Sequence, residues 1–466
     1  MTDNAVFHEL MSIAGWNGLD SNVEIVGCDP VLPTVFRTGE LAAGIHAACG
    51  AAIIKLWELQ TGRRQTVTVN VRAAAASLRS SSYLQIPASV QGDSRGQLSM
   101  LDFFRTRDNR WIFLHAARDH FRENALKLLQ CEATAESIAA AISRWDAQPL
   151  EDAFDAGGCM AVIARSIAEW NNHPQGRVLK ALPVVEVIKI GDSPPESLGR
   201  GNRPLSGVRV MDVTNVLSGP TCGRTLSEHG ADVLRVDAPD DTRMKPLIFI
   251  IDTGHGKRST FLNLRQENDN RKVLSLITQA DVFAENYRFG AMEKLGLGAE
   301  ALAKLRPGII YTSMNCYGYE GPWRRRPGME QIGQTAAGLA AEEGGDERPR
   351  TLPGAITDYS TGYLAAFGTM LALYRRAREG GSYWVRTSLT QSAMLLGRVA
   401  RVQENREQIQ GLEIPLEEIS RLSETVDSPY GRLTRLAPIV QLSETPAHWI
   451  LPPVPLGTHS PEWLEH

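Results

Sequence analysis

Residues 351–394 read TLPGAITDYSTGYLAAFGTMLALYRRAREGGSYWVRTSLTQSAM. A loop at Leu352-Pro353-Gly354 leads to Thr357-Asp358, which open a long Ala/Leu/Gly-rich run ending in Arg375, Arg376 and Arg378. Gly380-Gly381 stops the run, and Tyr383–Leu389 has the β-branched and aromatic texture of a strand. The order predicts loop, helix, glycine stop and strand. Asp358 near the helix start faces unpaired N–H groups at the positive end of the dipole, which favours its ionised form. Most aspartates so placed are plain helix caps.

The same order occurs a second time. Residues 40–63 align with 358–381 at a constant offset of 318, with Gly44, Ala47, Ala48, Gly50 and Gly62 on Gly362, Ala365, Ala366, Gly368 and Gly380. Val67 then falls on Val385, and Glu40 takes the place of Asp358. A repeat of this kind changes the domain count and is read first.

The chain has 466 residues, 43% of them hydrophobic and 22% charged, with a net charge of −4. That length supports several domains, and the charge offers no reason to expect nucleic acid or an anionic membrane as a partner. The six cysteines lack CxxC or CxxH spacing and read as buried thiols of a reducing compartment. The N-terminus MTDNAVFHELMS has no basic-then-apolar leader, so a cytoplasmic location is expected. The most apolar runs, 43–57 and 361–374, are shorter than the roughly 20 residues that span a bilayer. Arg324-Arg325-Arg326 reads as a solvated loop, and no metal-ligand cluster, GxSxG, Walker loop or dinucleotide fingerprint is present.

The expected domains are a partial large-domain repeat (1–95), a small α+β domain (96–190), a Pro/Gly linker (191–206), a Rossmann-like half (207–400) and a tail returning to the large domain (401–466). An amphipathic helix is expected around Val6, Leu10, Met11 and Ile13, a helix over 72–92, and a hairpin with its turn at Arg107-Asp108-Asn109. Helices at 119–130, 134–145 and 147–156 follow, and Ser166–Glu169 has capping-box spacing. From 208 onward strands alternate with helices: strands at 208–213, 231–236, 262–264, 281–284 and 308–313, helices at 219–229, 267–279, 290–295 and 299–304. Such alternation implies parallel pairing. In the tail, 401–424 reads as helical and Ala437–Leu442 as a strand.

Within 205–394, five motifs stand in order: LSGVRVMDVTNVLSGP (205–220), GADVLRVD (230–237), GKRS (256–259), DVFAEN (281–286) and GAMEKLG (290–296). In these motifs the segment resembles the catalytic half of the family III CoA-transferases, the formyl-CoA and carnitine CoA-transferase group. Residues 38–190 resemble a later part of the same family. The resemblance implies an α/β fold with a Rossmann-like three-layer large domain and a smaller α+β domain. It implies Asp358 as a covalent nucleophile that passes coenzyme A from an acyl-CoA to a small carboxylic acid, with CoA as substrate rather than resident cofactor. Matching positions imply that Asn215, Val216, Leu217 and Ser218 line the CoA path, that Arg258 and Lys294 meet its phosphates, and that Asn286 and Tyr287 meet the nucleotide. Glu330 is a further candidate for the catalytic site. Gly344-Gly345 is either flexible backbone for an oxyanion or a plain turn, and His255 reads as an exposed loop histidine. The family's interlocked dimers imply a homodimer.

Two departures matter. Ala238 stands where relatives commonly carry a basic residue, and Met329 stands where related racemases carry a histidine. An acyl-CoA racemase or lyase on the same fold, and a degenerate CoA-binding scaffold, are the alternatives.

Overall fold

The computed structural model describes residues 4–16, 22–90, 100–199, 201–239 and 246–465. Two helices set its plan. The first, α1 (Ala5–Ala14), carries the expected Val6, Leu10 and Met11 on its buried side. It packs on α2 (Thr38–Thr61), which is buried along most of its length. β1 (Val23–Val26) and β2 (Val67–Asn70) pair in parallel, and α3 (Val71–Ser77) follows.

Then comes the small α+β unit. β3 (Leu101–Arg105), β4 (Trp111–His115) and β5 (Ala161–Ile163) form an antiparallel sheet, with α4 (Asp119–Leu129) between the last two. Helices Ala135–Ile142 and Ala147–Ala156 complete its core, and Ser166 and Glu169 form the reciprocal capping box.

The remaining strands are β6 (Glu186–Gly191), β7 (Arg209–Asp212), β8 (Asp232–Asp237), β9 (Lys257–Phe261), β10 (Val282–Glu285), β11 (Ile310–Asn315) and β12 (Ser382–Ser388). Among the described residues they make a seven-stranded sheet in the order β6-β12-β11-β10-β7-β8-β9. Six strands are parallel, and only β6 runs antiparallel, on the edge beside β12. Read from β9 to β12 this is the doubly wound order, which reverses between β7 and β10. In such sheets the crevice beyond the carboxyl ends at the reversal is where ligands bind.

The helices that bear on that crevice are α5 (Ser218–Ser227), α6 (Leu247–Thr253), α7 (Glu330–Ala336), α8 (Ile356–Glu379) and α9 (Leu389–Arg398). In the tail, β13 (Ser423–Ser428) and β14 (Gly431–Leu436) make a hairpin, and β15 (Gln441–Leu442) returns to β2.

The sequence repeat is a structural one. Helices α2 and α8 both have 24 residues, and their ends match in the same register, Thr38 on Ile356 and Thr61 on Glu379. Gly62 and Gly380 end them at φ 72° and 69°, a conformation glycine adopts without steric cost. Asn70 caps α3 as the corresponding Ser388 caps α9. A Cβ on Gly50 would come within 2.7 Å of Val67 Cγ1, and one on Gly368 within 2.6 Å of Val385 Cγ1. Each glycine thus lets its helix settle on the matching strand valine. The two helices also pack on each other, where the Cys49 thiol donates to the Tyr363 carbonyl at 3.4 Å and the His46 and Tyr363 rings lie 4.3 Å apart.

Several local expectations are corrected. The helix foreseen over 72–92 is α3 and a short turn at Ser80–Tyr83, after which Leu84 is extended; Gln91–Asp93 lie outside the described residues. The run Ser80-Ser81-Ser82 and Pro87 hold little helical preference. The strand placed at 262–264 is β9, five residues earlier, because buried Lys257 and Arg258 look like surface residues in sequence. Residues 290–295 hold only a 3₁₀ turn, Glu293–Leu295. The tail's helical stretch is two short helices, Arg406–Gln410 and Leu416–Arg421, and the strand expected at 437–442 is reduced to β15. At 24 residues, α2 is longer than its apolar core and is long and apolar enough to cross a membrane; 89% of its most apolar 18-residue stretch is buried within this protein.

Candidate active site

α8 begins beside the carboxyl ends of the central strands, and its first turn is capped from a distance. Ala355 occupies the cap position without a side-chain bond, while Asp358 lies in the first turn. The cap comes from Glu330 at the start of α7. Its carboxylate accepts from Thr357 N at 3.0 Å, from Thr357 Oγ1 at 2.7 Å and from Asp358 N. Gln334, one turn along α7, donates its Nε2 to Glu330 Oε1 at 2.8 Å and accepts from Leu352 N on its Oε1 at 2.7 Å. Asp358 is therefore not the cap, and its carboxyl is left for other use.

A cavity of about 1050 Å³ opens onto it. Asp358, Glu330, Asn215, Val216, Leu217, Asn286 and Tyr287 all line it, as does Ser218. The loop after β7 is locked to the loop after β10: Asn215 N donates to Asn286 Oδ1 and Asn286 Nδ2 to Asn215 O, both at 2.7 Å. This pair bridges the strand reversal. Val216 follows at φ 63°, an unusual conformation for a β-branched residue, and α5 starts two residues later. Backbone strain of this kind clusters at functional sites.

Gly362, one turn beyond Asp358, sets the approach of α8 to α5. A Cβ there would lie 2.4 Å from Ser218 O and 2.6 Å from Thr221 Cβ. Gly362→Ala is expected to destabilise the protein by about 1–3 kcal/mol, as overpacking does, and to lower activity by moving Asp358. Thermal unfolding and an activity assay on one preparation check this.

The expectation of an ionised Asp358 is corrected. Burial, and then the neighbouring Glu330 carboxylate, raise its pKa well above the usual carboxylate range, and the Ser218 hydroxyl only partly opposes them. Burial raises Glu330 too, against the hydrogen bonds from Thr357, Asp358 and Gln334. Two buried carboxyls this close titrate as a pair. With its donors in place Glu330 ionises first, and Asp358 holds the proton.

The cations differ from those expected. Arg258 is buried away from the cavity and pairs with Asp232, both guanidinium contacts to Oδ1 and Oδ2 being near 2.8 Å. Lys294 is exposed and does not line the cavity. Instead Arg118, Arg288, Arg324 and Arg326 line it, so two members of the supposedly solvated arginine run face the site. Arg288 lies 5.5 Å over the Phe121 ring and Arg324 5.0 Å over Phe289. These residues come from the small unit and two separate loops, and nothing in their sequence spacing signals a common site. Gly344 and Gly345 do not line this cavity, and His255 is buried, 1% exposed, with its ring 5.7 Å from Trp449. His115 does line it, but burial lowers its pKa to about 4, so it is a poor proton acceptor.

Glu285, at the end of β10, is fully buried and accepts from Tyr287 N at 2.7 Å; burial raises its pKa to about 8. Its folded value lies above the unfolded one, so its contribution to stability is complete below about pH 4.5 and is lost as pH rises through 8. Glu285→Gln is expected to remove up to about 1.4 kcal/mol per pH unit of that slope, leaving the variant the more stable at pH 8.5. Denaturant titrations at pH 5.5 and 8.5 measure it.

In the N-terminal copy Asp29 plays the part of Glu330, accepting from Gly39 N at 3.2 Å and Glu40 N at 2.7 Å. Gly39 and Glu40 match Thr357 and Asp358 in the repeat. Burial raises Asp29 to about 6. Glu40 itself is tied to Arg37 Nη1 at 2.8 Å and does not line the cavity.

The family model "CoA-transferase family III" matches residues 27–189 and 205–413. The chain belongs to CoA-transferase family III. As a family III member it is an enzyme of the CoA-transferase type. It is 32% identical over 437 residues to the acetyl-coenzyme A transferase nodX of Hypoxylon pulicicidum, covering 82% of this chain and 71% of that protein. It is 35% identical over 201 residues to the beta subunit of succinyl-CoA–L-malate CoA-transferase of Chloroflexus aurantiacus, covering 41% of this chain and 50% of that one. Here the chain spans half the relative's length. Among solved structures, Rv3272 of M. tuberculosis aligns at 31% identity with a TM-score of 0.40, over 42% of this chain and 58% of that one.

Proposed function

We propose that this enzyme moves coenzyme A from an acyl-CoA to a carboxylic acid through a covalent intermediate on Asp358. The observation that carries this reading is the division of labour between two adjacent carboxyls: Glu330 is consumed in capping α8, whereas Asp358 faces a cavity large enough for a bound thioester.

Asp358, once ionised, attacks the thioester carbonyl. The C–S bond breaks, CoA leaves as thiolate, and an acyl-aspartyl anhydride remains. The thiolate attacks the aspartyl carbonyl, releasing the first acid and leaving an aspartyl-CoA thioester. The acceptor carboxylate attacks that thioester, and the freed thiolate then attacks the acceptor acyl carbon, restoring Asp358. Covalent catalysis divides one hard exchange into easier ones. The first turn of α5, beside Ser218, offers N–H groups without intrahelical acceptors to the developing oxyanion. Arg118, Arg288 and Arg324 supply positive charge for the phosphates, in place of the base absent at Ala238, while Arg326 is paired with Asp155 at 3.0 Å. A racemase needs an effective second base, which His115 is not.

The test is intact-protein mass spectrometry after mixing with acyl-CoAs, with and without hydroxylamine, beside Asp358→Ala. A CoA or acyl adduct on the wild type, removed by hydroxylamine and absent in the variant, is expected. Failure to form an adduct with any donor, together with no CoA binding by calorimetry, overturns the reading and leaves a scaffold.

A further inference from the structure

The geometry points to an apolar acyl group as what this enzyme carries on its thioester. This rests on the CoA-transfer reading and names the substrate class of the same site.

The cavity is lined by two unlike groups of residues. Its cations, with Phe121 and Tyr287, gather where the small unit meets the loop after β10. A second part of the wall is formed by Leu84, Ile86 and Val90 from one segment and by Leu247, Ile248 and Phe249 from α6. These side chains are not loose surface. Ile86, Val90, Leu247 and Ile248 pack on a cluster of Leu84, Ile251 and Leu433. α6 divides along its length: its first residues face the cavity, while Asp252 near its end accepts from Tyr359 Oη at 2.9 Å and from Ser80 Oγ at 2.6 Å. Tyr359 follows Asp358 directly, so α6 is tied to the first turn of the helix that carries the reacting carboxyl.

Four groups of an acyl-CoA must be accommodated: adenosine, phosphates, pantetheine and acyl chain; the adenosine is bonded directly to the phosphates, so it stays beside the arginines with Phe121 and Tyr287. The phosphates belong with the arginines. Pantetheine carries two amides that need hydrogen-bonding partners, and the side chains of this wall supply none. An apolar acyl chain fits it without loss. An acyl group ending in a second carboxylate would leave that charge against hydrocarbon, at a large cost.

Single-turnover adduct formation, which needs only the donor, tests this with acetyl-, hexanoyl-, octanoyl- and succinyl-CoA. The second-order rate constant is expected to rise about fourfold per added methylene across the unbranched series, with succinyl-CoA slowest. Leu247→Gln and, on the other segment, Ile86→Gln are each expected to lower the octanoyl-to-acetyl ratio at least about tenfold. A filled slot in Leu247→Phe shifts the optimum to shorter chains. Succinyl-CoA reacting as fast as octanoyl-CoA, or ratios unmoved in all three variants, overturns the inference while the transfer reading stands. No adduct with any of the four donors overturns the inference, and no CoA binding by calorimetry beside it overturns the transfer reading as well.

Discussion

Asp358→Asn is expected to abolish CoA transfer while making the folded protein more stable. The amide is nearly isosteric and keeps a polar group beside Ser218, but it is no nucleophile, and among the described residues no other carboxyl lining the cavity is free to replace it. Glu330 is engaged by Thr357, Asp358 and Gln334. Loss of a covalent nucleophile costs on the order of 10³-fold or more in turnover. The stability gain follows from the raised pKa. In the folded protein burial and Glu330 keep Asp358 protonated well above its usual range, whereas the unfolded chain ionises it near pH 3.8. The stabilisation tied to that proton is complete below the unfolded value and declines as pH rises toward the folded one. A residue that is never charged avoids that decline. The variant is therefore expected to melt higher than wild type at pH 8 and close to it at pH 4.5. Catalytic groups held in uncomfortable surroundings commonly trade stability for activity in this way. A variant that is both inactive and less stable at pH 8 sinks the account.

Glu330→Ala is expected to be the most destabilising single change at the site. It leaves Thr357 N, Thr357 Oγ1 and Asp358 N buried without their acceptor, each at about 1–3 kcal/mol. A total of several kcal/mol is a large share of the roughly 5–15 kcal/mol that a folded protein has. Glu330→Gln behaves otherwise. It retains an acceptor oxygen for the helix end and removes the negative charge beside Asp358. Asp358 then ionises more readily, and the acid limb of the pH–rate profile moves to lower pH. Melting curves separate the two variants, and pH–rate profiles of Glu330→Gln report the sign. A limb that moves upward contradicts the assignment of the charge to Glu330.

Much of this was legible in sequence, and the reasons differ by residue. The alternation after residue 208 forced parallel pairing, and β7, β8 and β10 lie within two residues of their expected places. The register of the repeat was visible because small residues are required wherever a helix backbone touches a strand, as at Gly50 and Gly368. β9 was misplaced because paired, buried Lys257 and Arg258 have the look of surface residues. Asp358 could be singled out, but its protonation could not, since burial and Glu330 arise only in three dimensions. The arginines of the cavity were out of reach for the same reason: Arg118, Arg288 and Arg324 sit in unrelated stretches, and only the packing of the small unit against the strand ends unites them.

The contact between α2 and α8 has a consequence for how the protein behaves at low concentration. When two separate chains meet through such helices, dilution pulls them apart, and every inherited substitution appears on both sides of the seam. Here both helices lie on one polypeptide, so dilution cannot separate them. A change at Glu40 or Asp29 also leaves Asp358 and Glu330 as they were. One copy can drift while its twin keeps its own pair of carboxyls.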